Sequence, residues 1–236
     1  MRIAINQPYF FPYLGYFSLI KHTDLFLFID IVPFIHQSWI RRNRILSKNR
    51  SWQYILVPVL KSHRGTLIKD ILICNKNNWK QMILYQLQYY KKSAPYYSQV
   101  IKLLNYLFES EFTDMVSLDK KSVEIVCDYL EIDYHIKVVS EMNLNIDKPQ
   151  APDEWALNIC KVIDDVEEYW NLPGGTFFYD RTKYENAGFQ IKFLRNYLKP
   201  YNQEAIIFNP GLSIIDVMMF NNKKEIHEMI DHYEFI

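Results

Sequence analysis

"LFLFID", residues 25–30, decides the fold. Five consecutive apolar residues leave no wet face for the chain, so the strand they predict is covered on both sides. Such strands belong to sheets flanked by helices, which favours an α/β architecture. Toward the N-terminus, "YFSLIKHTD" predicts a short helix just before this strand, and "MRIAI" predicts a first short buried strand. Asn6 and Gln7 end that strand with two amide side chains, and Pro8 biases its predecessor toward extended backbone.

Between the first strand and the helix lies "INQPYFFPYLGYF", residues 5–17, with six aromatic rings, two prolines and one glycine. Tyr and Phe bury much apolar area, so the loop reads first as a lid on the core. Alternatively it lines a ligand pocket at the C-terminal end of a parallel strand, where open α/β sheets bind their ligands.

Toward the C-terminus, "WQYILVPVL" and "IKDILI" predict strands. The period then changes, and "WKQMILYQLQYYKK", "APYYSQVIKLLNYLFES" and "DMVSLDKKSVEIVCDYLEI" predict three helices, the second starting at Ala94 with Pro95 in its first turn. "YHIKVVS" reads as a strand, "PDEWALNICKVID" as a helix, and "EEYWNLPGGTFFY" as a strand, a Gly-Gly turn and a further extended piece. "FQIKFLRNYL" and "EAIIF" predict strands, and "SIIDVMMFN" and "KKEIHEMIDHY" predict helices. The fold class expected is α/β, a mixed or mainly parallel Rossmann-like sheet. The whole chain, 1–236, forms one domain in which a helical region, 78–133, packs as an insertion or cap.

With 49% hydrophobic and 23% charged residues the composition is that of an ordinary folded protein and excludes disorder. Lys plus Arg and Asp plus Glu both number 27, so net charge gives no footprint for nucleic acid or an anionic membrane, and either would need a local patch. Aromatic residues make up 16%. That excess suits a polar, ring-bearing ligand or reflects a biased composition rich in Ile, Asn, Lys and Tyr. Cys74, Cys127 and Cys160 are widely spaced and lack nearby His partners, which indicates neither a disulfide framework nor a zinc site. No metal or cofactor is expected. Five residues before polar Asn6 make no cleavable signal, and no apolar run reaches the ~20 residues of a membrane span, so a cytoplasmic protein is expected.

Neither G-x-G-x-x-G, G-x-x-x-x-G-K-[ST] nor G-x-S-x-G occurs. The richest stretch is "IDIVPFIHQSWIRRNRI", residues 29–45. Arg41, Arg42 and Arg44 offer forked donors suited to carboxylate or phosphate, or they form a solvated basic loop with Trp39 on the core. Asp30 at a strand end is a candidate base, a hydroxyl acceptor or an ion-pair partner, and His36 is a candidate proton shuttle. Gly174 and Gly175 let backbone approach a ligand, or simply turn the chain. Ser213 with Asp216 three residues on resembles a variant capping box.

In this order, "NQPYFFPYLGYF", "WIRRNRI", "VPV", "PGGTFFYD" and "NPGLSIIDVMMFN" resemble the WbqC-like protein family, a likeness covering Ile5 to about Asn221. The family's pattern maps onto Gln7, Pro8, Tyr9, Pro12, Gly15 and Tyr16, and then onto Asp30, Trp39, Arg42, Asn43 and Arg44. This chain departs from it at Asn6, Ile31 and Pro33, where the pattern often has His, an acid and Gln. The resemblance implies a bacterial protein of O-antigen or other surface-polysaccharide biosynthesis. The reaction it suggests is acyl or aminoacyl transfer to a nucleotide-linked amino sugar, with a nucleotide-linked sugar and a small acyl or amino-acid donor as partners. Catalytic Asp30 and His36 are expected, with Asn6, Gln7, Tyr9, Tyr13, Tyr16, Trp39, Arg42, Asn43, Arg44, Gly174 and Gly175 binding substrate. Neither nucleic acid nor a transmembrane segment is expected, and a homo-oligomer is left open. Two alternatives stand beside this reading. One is a non-catalytic sugar-nucleotide-binding or scaffold protein of the same pathway. The other is a nucleotidyltransferase-like adenylating enzyme, suggested by the layout of the opening elements although H-x-G-H is absent.

Overall fold

Apolar strands seek cover on both faces, and the chain supplies it by alternating strand and helix. In the computed structural model, which describes residues 1–47, 51–203, 205 and 207–236, β1 (Arg2–Asn6) leads through α1 (Leu14–His22) to β2 (Leu25–Phe28). An antiparallel pair follows, β3 (Arg42–Leu46) and β4 (Trp52–Leu56), and then the helical region α2 (Trp79–Leu87), α3 (Tyr97–Glu109) and α4 (Met115–Leu130). The chain continues as β5 (Ile136–Val138), α5 (Glu154–Lys161), β6 (Glu168–Asn171), α6 (Arg181–Asn186) and β7 (Gln190–Asn196). It ends with α7 (Ile214–Phe220), α8 (Lys223–Asp231) and β8 (Tyr233–Phe235).

Six strands form one sheet in the order β5-β2-β1-β6-β7-β8, parallel throughout except for the antiparallel edge strand β8. All four residues of β2 are buried, as a two-sided strand requires. The sheet grows from β1 outward to β2 and β5, then from β1 in the opposite direction to β6 and β7. That reversal places a topological switch point between β1 and β6, the doubly wound arrangement of Rossmann-like folds.

α1 buries seven of its nine residues between the sheet and α8. An Asn222–Glu225 capping box starts α8, and Asp114 caps α4 by accepting from Ser117 N–H. The helical region joins the same apolar core as the sheet. It is tied there by Tyr90, whose hydroxyl accepts from Leu46 N–H of β3 and donates to Asp216 Oδ1 of α7.

Several local expectations are corrected. "IKDILI" makes a 3-10 turn at Ile68–Asp70 and single bridges from Leu72 to Asp114 and from Ile73 to Val59, because Asp70 interrupts its alternation. The strand expected at "WQYILVPVL" does form, over Trp52–Leu56, and pairs with Arg42–Leu46 outside the main sheet. The helix expected from Ala94 begins at Tyr97, with Pro95 in the preceding turn. "TFFY" is a turn running into α6, capped by Asp180, and "EAIIF" falls partly outside the described residues, the rest of it not in a strand. The Ser213 hydroxyl does cap α7, but Asp216 bonds to tyrosines and completes no box.

Candidate functional site

A cavity of about 1050 Å³ opens at the switch point. Asn6 and Gln7 at the end of β1, Ile29 just beyond β2 and Asn171 at the end of β6 reach it, so its floor is the C-terminal edge of three neighbouring parallel strands. Such an edge gathers polar main chain and short polar side chains at the point where the flanking helices diverge.

The aromatic loop after β1 forms one wall, and its rings divide between two tasks. Phe10, Phe11, Tyr16 and Phe17 are buried in the core, while Tyr9, Pro12 and Tyr13 line the cavity. Phe11 holds φ at 42°, a left-handed backbone that a bulky residue adopts only under constraint. The constraint is visible. Asn43 Nδ2 donates to the carbonyls of Phe10 (3.0 Å) and Phe11 (2.8 Å), Ser213 Oγ donates to Phe11 O (2.8 Å), and Phe11 N–H reaches Ser122 Oγ (3.4 Å). Three distant segments thus clamp one loop residue. Gly15 is required by close approach: a Cβ there would meet the Tyr13 ring at 2.7 Å. Burial pushes the Tyr9 phenol up to about 12 and that of Tyr13 up as well, so both remain neutral hydrogen-bonding groups at physiological pH. Tyr16 lies beneath this wall, its hydroxyl donating to Gln7 O at 2.7 Å.

A cation and one indole, Arg44 and Trp39, line a second side, with Trp52 packed on the arginine outside the lining. The Arg44 guanidinium lies 5.4 Å from the Trp39 ring and 5.5 Å from the Trp52 ring, and its Nη2 donates to Gly211 O at 3.1 Å. Arg44 Nε and Asn6 Nδ2 are buried donors with no partner among the described residues, and both residues line the cavity. An unpaired buried donor costs free energy that a ligand's acceptor would recover.

The opposite wall is the segment Lys148–Pro152 with Trp155 and Ala156 of α5. Glu154 fastens it by accepting from Gln150 N–H (2.7 Å) and Ala151 N–H (3.2 Å). Asn171, Gly174, Gly175, Phe178 and Tyr179 close the ring. A Cβ on Gly175 would meet Phe193 at 2.9 Å, so this glycine too exists for close packing.

The structure therefore brings Asn6, Gln7, Tyr9, Tyr13, Trp39, Asn43, Arg44, Gly174 and Gly175 to one cavity, and leaves four expected site residues off its lining. Asp30 is buried, and its carboxylate accepts from Ser140 N–H and Ser140 Oγ, tying β2 to the turn after β5. His36 is exposed, with its ring 2.7 Å from Arg41 Nη1. Arg42 stacks on Tyr54 at 4.2 Å on the outer face of the hairpin, and Tyr16 is the support already described. Sequence reasoning missed Trp155, Asn171, Tyr179 and the whole Lys148–Pro152 wall. Its only cue was the pair of prolines in "KPQAPDEW" ahead of a tryptophan. Among the described residues no Asp, Glu, His, Cys, Ser or Thr lines the cavity, and no cluster of His, Cys, Asp or Glu could hold a metal ion. Likewise, no helix is long and apolar enough to cross a membrane.

Sheet order and cavity define a Rossmann-like, doubly wound α/β protein with a ligand-sized cleft at its switch point. The chain belongs to the WbqC-like protein family, whose profile matches residues 7–228. It is also similar to "Uncharacterized protein Rv1507c" of Mycobacterium tuberculosis (strain ATCC 25618 / H37Rv), with 25% identity over 223 residues and 93% of each chain covered. No solved structure matches the chain.

Proposed function

We propose that the cavity binds a nucleotide-linked amino sugar and that the protein transfers an acyl or aminoacyl group to it in surface-polysaccharide biosynthesis. The observation that carries this reading is the composition of the wall. Neutral tyrosines and indoles suit the faces of sugar or base rings, amides suit hydroxyls, and one arginine suits pyrophosphate or carboxylate. The volume of about 1050 Å³ is at the upper end of the ~300–1,000 Å³ usual for small-molecule sites, room enough for a sugar and part of its nucleotide.

Among the described residues the lining supplies no carboxylate, imidazole or thiol, and Lys148 is its one amine, which shapes the chemistry. An acyl group that arrives activated, as a thioester for example, is attacked by the free amine of the sugar; the C–N bond forms, the C–S bond breaks, and the leaving thiolate takes up the proton the amine gives up. Positioning the two reactants then supplies most of the acceleration. The unpaired Asn6 Nδ2 and Arg44 Nε are donors available to a developing oxyanion. In this scheme Asp30 supports the site from outside the cavity by tying the end of β2 to Ser140, and His36, exposed beside Arg41, has no step to perform. The same lack of carboxylate and imidazole favours a second reading, a sugar-nucleotide-binding protein without turnover.

The test is a thermal-shift screen against free nucleotides, nucleotide-linked sugars and amino sugars, followed by mass-spectrometric detection of acyl transfer from thioester or aminoacyl donors. A ligand that binds only the native state at a hundred times its Kd stabilises by about 2.7 kcal/mol, a visible rise in midpoint. A shift specific to nucleotide-linked amino sugars, lost in Arg44→Ala, is the expected result. A shift without product under any donor supports the binding reading, and no shift with any sugar nucleotide overturns both.

A further inference from the structure

Overall neutrality hides a strong segregation of charge. Residues 31–69 contain no Asp or Glu but five Arg and three Lys. The β3–β4 hairpin forms the middle of this segment. Its inward face, Asn43, Ile45 and Ile55, is buried. Its outward face sets Arg42 opposite Leu56 and Arg44 opposite Tyr54, with Trp52 next on the same side, as a period of two dictates.

That outward face is apolar as well as basic. Trp39 is 38%, Trp52 42% and Leu56 43% exposed, and Ile35 at 63% and Leu60 at 43% extend the surface. The stretch bearing Leu60, Lys61 and Arg64 returns beside Ile35, since Phe34 N–H donates to Thr66 O and Pro33 pairs with Leu67. Lys61 and Arg64 are exposed. Large apolar side chains crowded among cations, on a segment with no acid of its own before Asp70, mark an interaction surface.

We propose that this face docks on an anionic lipid bilayer. Indoles sit at the headgroup level, arginines meet lipid phosphates while their stems cover apolar surface, and aliphatic tips enter the acyl boundary. Two observations weigh against a nucleic acid on the same face. A guanidinium already occupies one face of each ring, Arg42 on Tyr54 and Arg44 on both Trp39 and Trp52, which leaves fewer stacking faces to bases. Ile35, Leu56 and Leu60 gain nothing from phosphates. Ile35 and Trp39 also line the switch-point cavity, so its rim shares this surface. The proposal is independent of what the cavity holds.

The experiment is co-sedimentation of the full chain with vesicles of phosphatidylcholine alone and of phosphatidylcholine mixed with phosphatidylglycerol, at low and high salt. Binding to the anionic vesicles that falls with salt is expected, with little binding to the neutral ones. Each surface charge is worth roughly fivefold in binding. The double reversal Lys61→Glu/Arg64→Glu should therefore weaken it by at least about a hundredfold, and Leu56→Glu by at least about tenfold. Circular dichroism and thermal midpoint should match the parent chain, since all three side chains are exposed. The proposal is overturned by no binding to anionic vesicles, by equal binding to neutral ones, by unchanged binding of both folded variants, or by a dimer in solution that Leu56→Glu splits.

Discussion

Replacing Asp216 by Asn should remove a specific slope from the pH dependence of stability. Asp216 is fully buried on α7, where its Oδ1 accepts from the Tyr90 hydroxyl at 2.6 Å and its Oδ2 accepts from the Tyr201 hydroxyl at 2.6 Å and from Gln203 Nε2 at 3.0 Å. Those donors favour the carboxylate, but burial outweighs them and lifts the carboxyl from 3.8 to about 6. At ~1.36 kcal/mol per pH unit, the difference amounts to about 3 kcal/mol. The folded protein holds this proton more tightly than the unfolded chain does. The stability contributed is therefore fully present below about pH 4 and lost as pH rises toward about 6. Asp24, Glu154 and Glu168 are shifted downward and slope the opposite way, but they are common to both proteins and cancel in the difference. Urea unfolding of parent and Asp216→Asn between pH 4 and 7 should show the parent losing about 2 kcal/mol of this relative to the variant, with equal m values. Parallel pH profiles would refute the reasoning.

Asp119, with both carboxylate oxygens buried and without a partner among the described residues and its pKa raised well above the ordinary value by burial, should be dispensable for folding. Asp119→Leu is expected to be as stable as the parent at pH 7 or more stable by about 1–3 kcal/mol, and a large loss in chemical denaturation would contradict this. Asn43→Ala removes both donors from the Phe10 and Phe11 carbonyls and should cost at least about 2 kcal/mol. Calorimetry checks it, and a change within about 0.5 kcal/mol would show that the Phe11 clamp is idle. Gly15→Ala forces the Tyr13 ring from its seat at the cavity wall. The variant should fold with a midpoint only a few degrees lower yet lose any ligand-induced thermal shift, and a full shift would show that Tyr13 does not shape the site.

Much of the fold was legible because it rests on two periods. "LFLFID" reads as a strand with no wet face, and the helices from Trp79 to Leu130 carry their own spacing. What escaped was set by distant partners. Arg42–Leu46 alternates arginine with Asn43 and Ile45, and only pairing with Trp52–Leu56 turns a basic run into a strand. β8 spans only three residues and exists because β7 offers it an edge. The site shows the same division. Asn6 and Gln7 at the end of β1 follow from the strand end and the switch-point rule, whereas Asn171 enters the site only once β6 is seen to lie beside β1. Asp30 also ends a strand, yet its carboxylate turns to Ser140, a partner 110 residues away that no local pattern announces.

The two readings of the aromatic loop are then one mechanism. A loop of six rings could collapse in many ways, and the buried rings select one by locking Phe11 between Asn43, Ser122 and Ser213. With the core side fixed, Tyr9 and Tyr13 have no freedom left to surrender when a ligand arrives, so the ordering cost of that wall is met during folding. The facing wall is built differently. Lys148 and Gln150 are exposed, and two main-chain bonds to Glu154 hold the strap that carries them. An aromatic wall clamped from three distant segments thus faces a proline strap held by its own neighbouring helix, so the two sides of the cavity owe their shape to different parts of the chain.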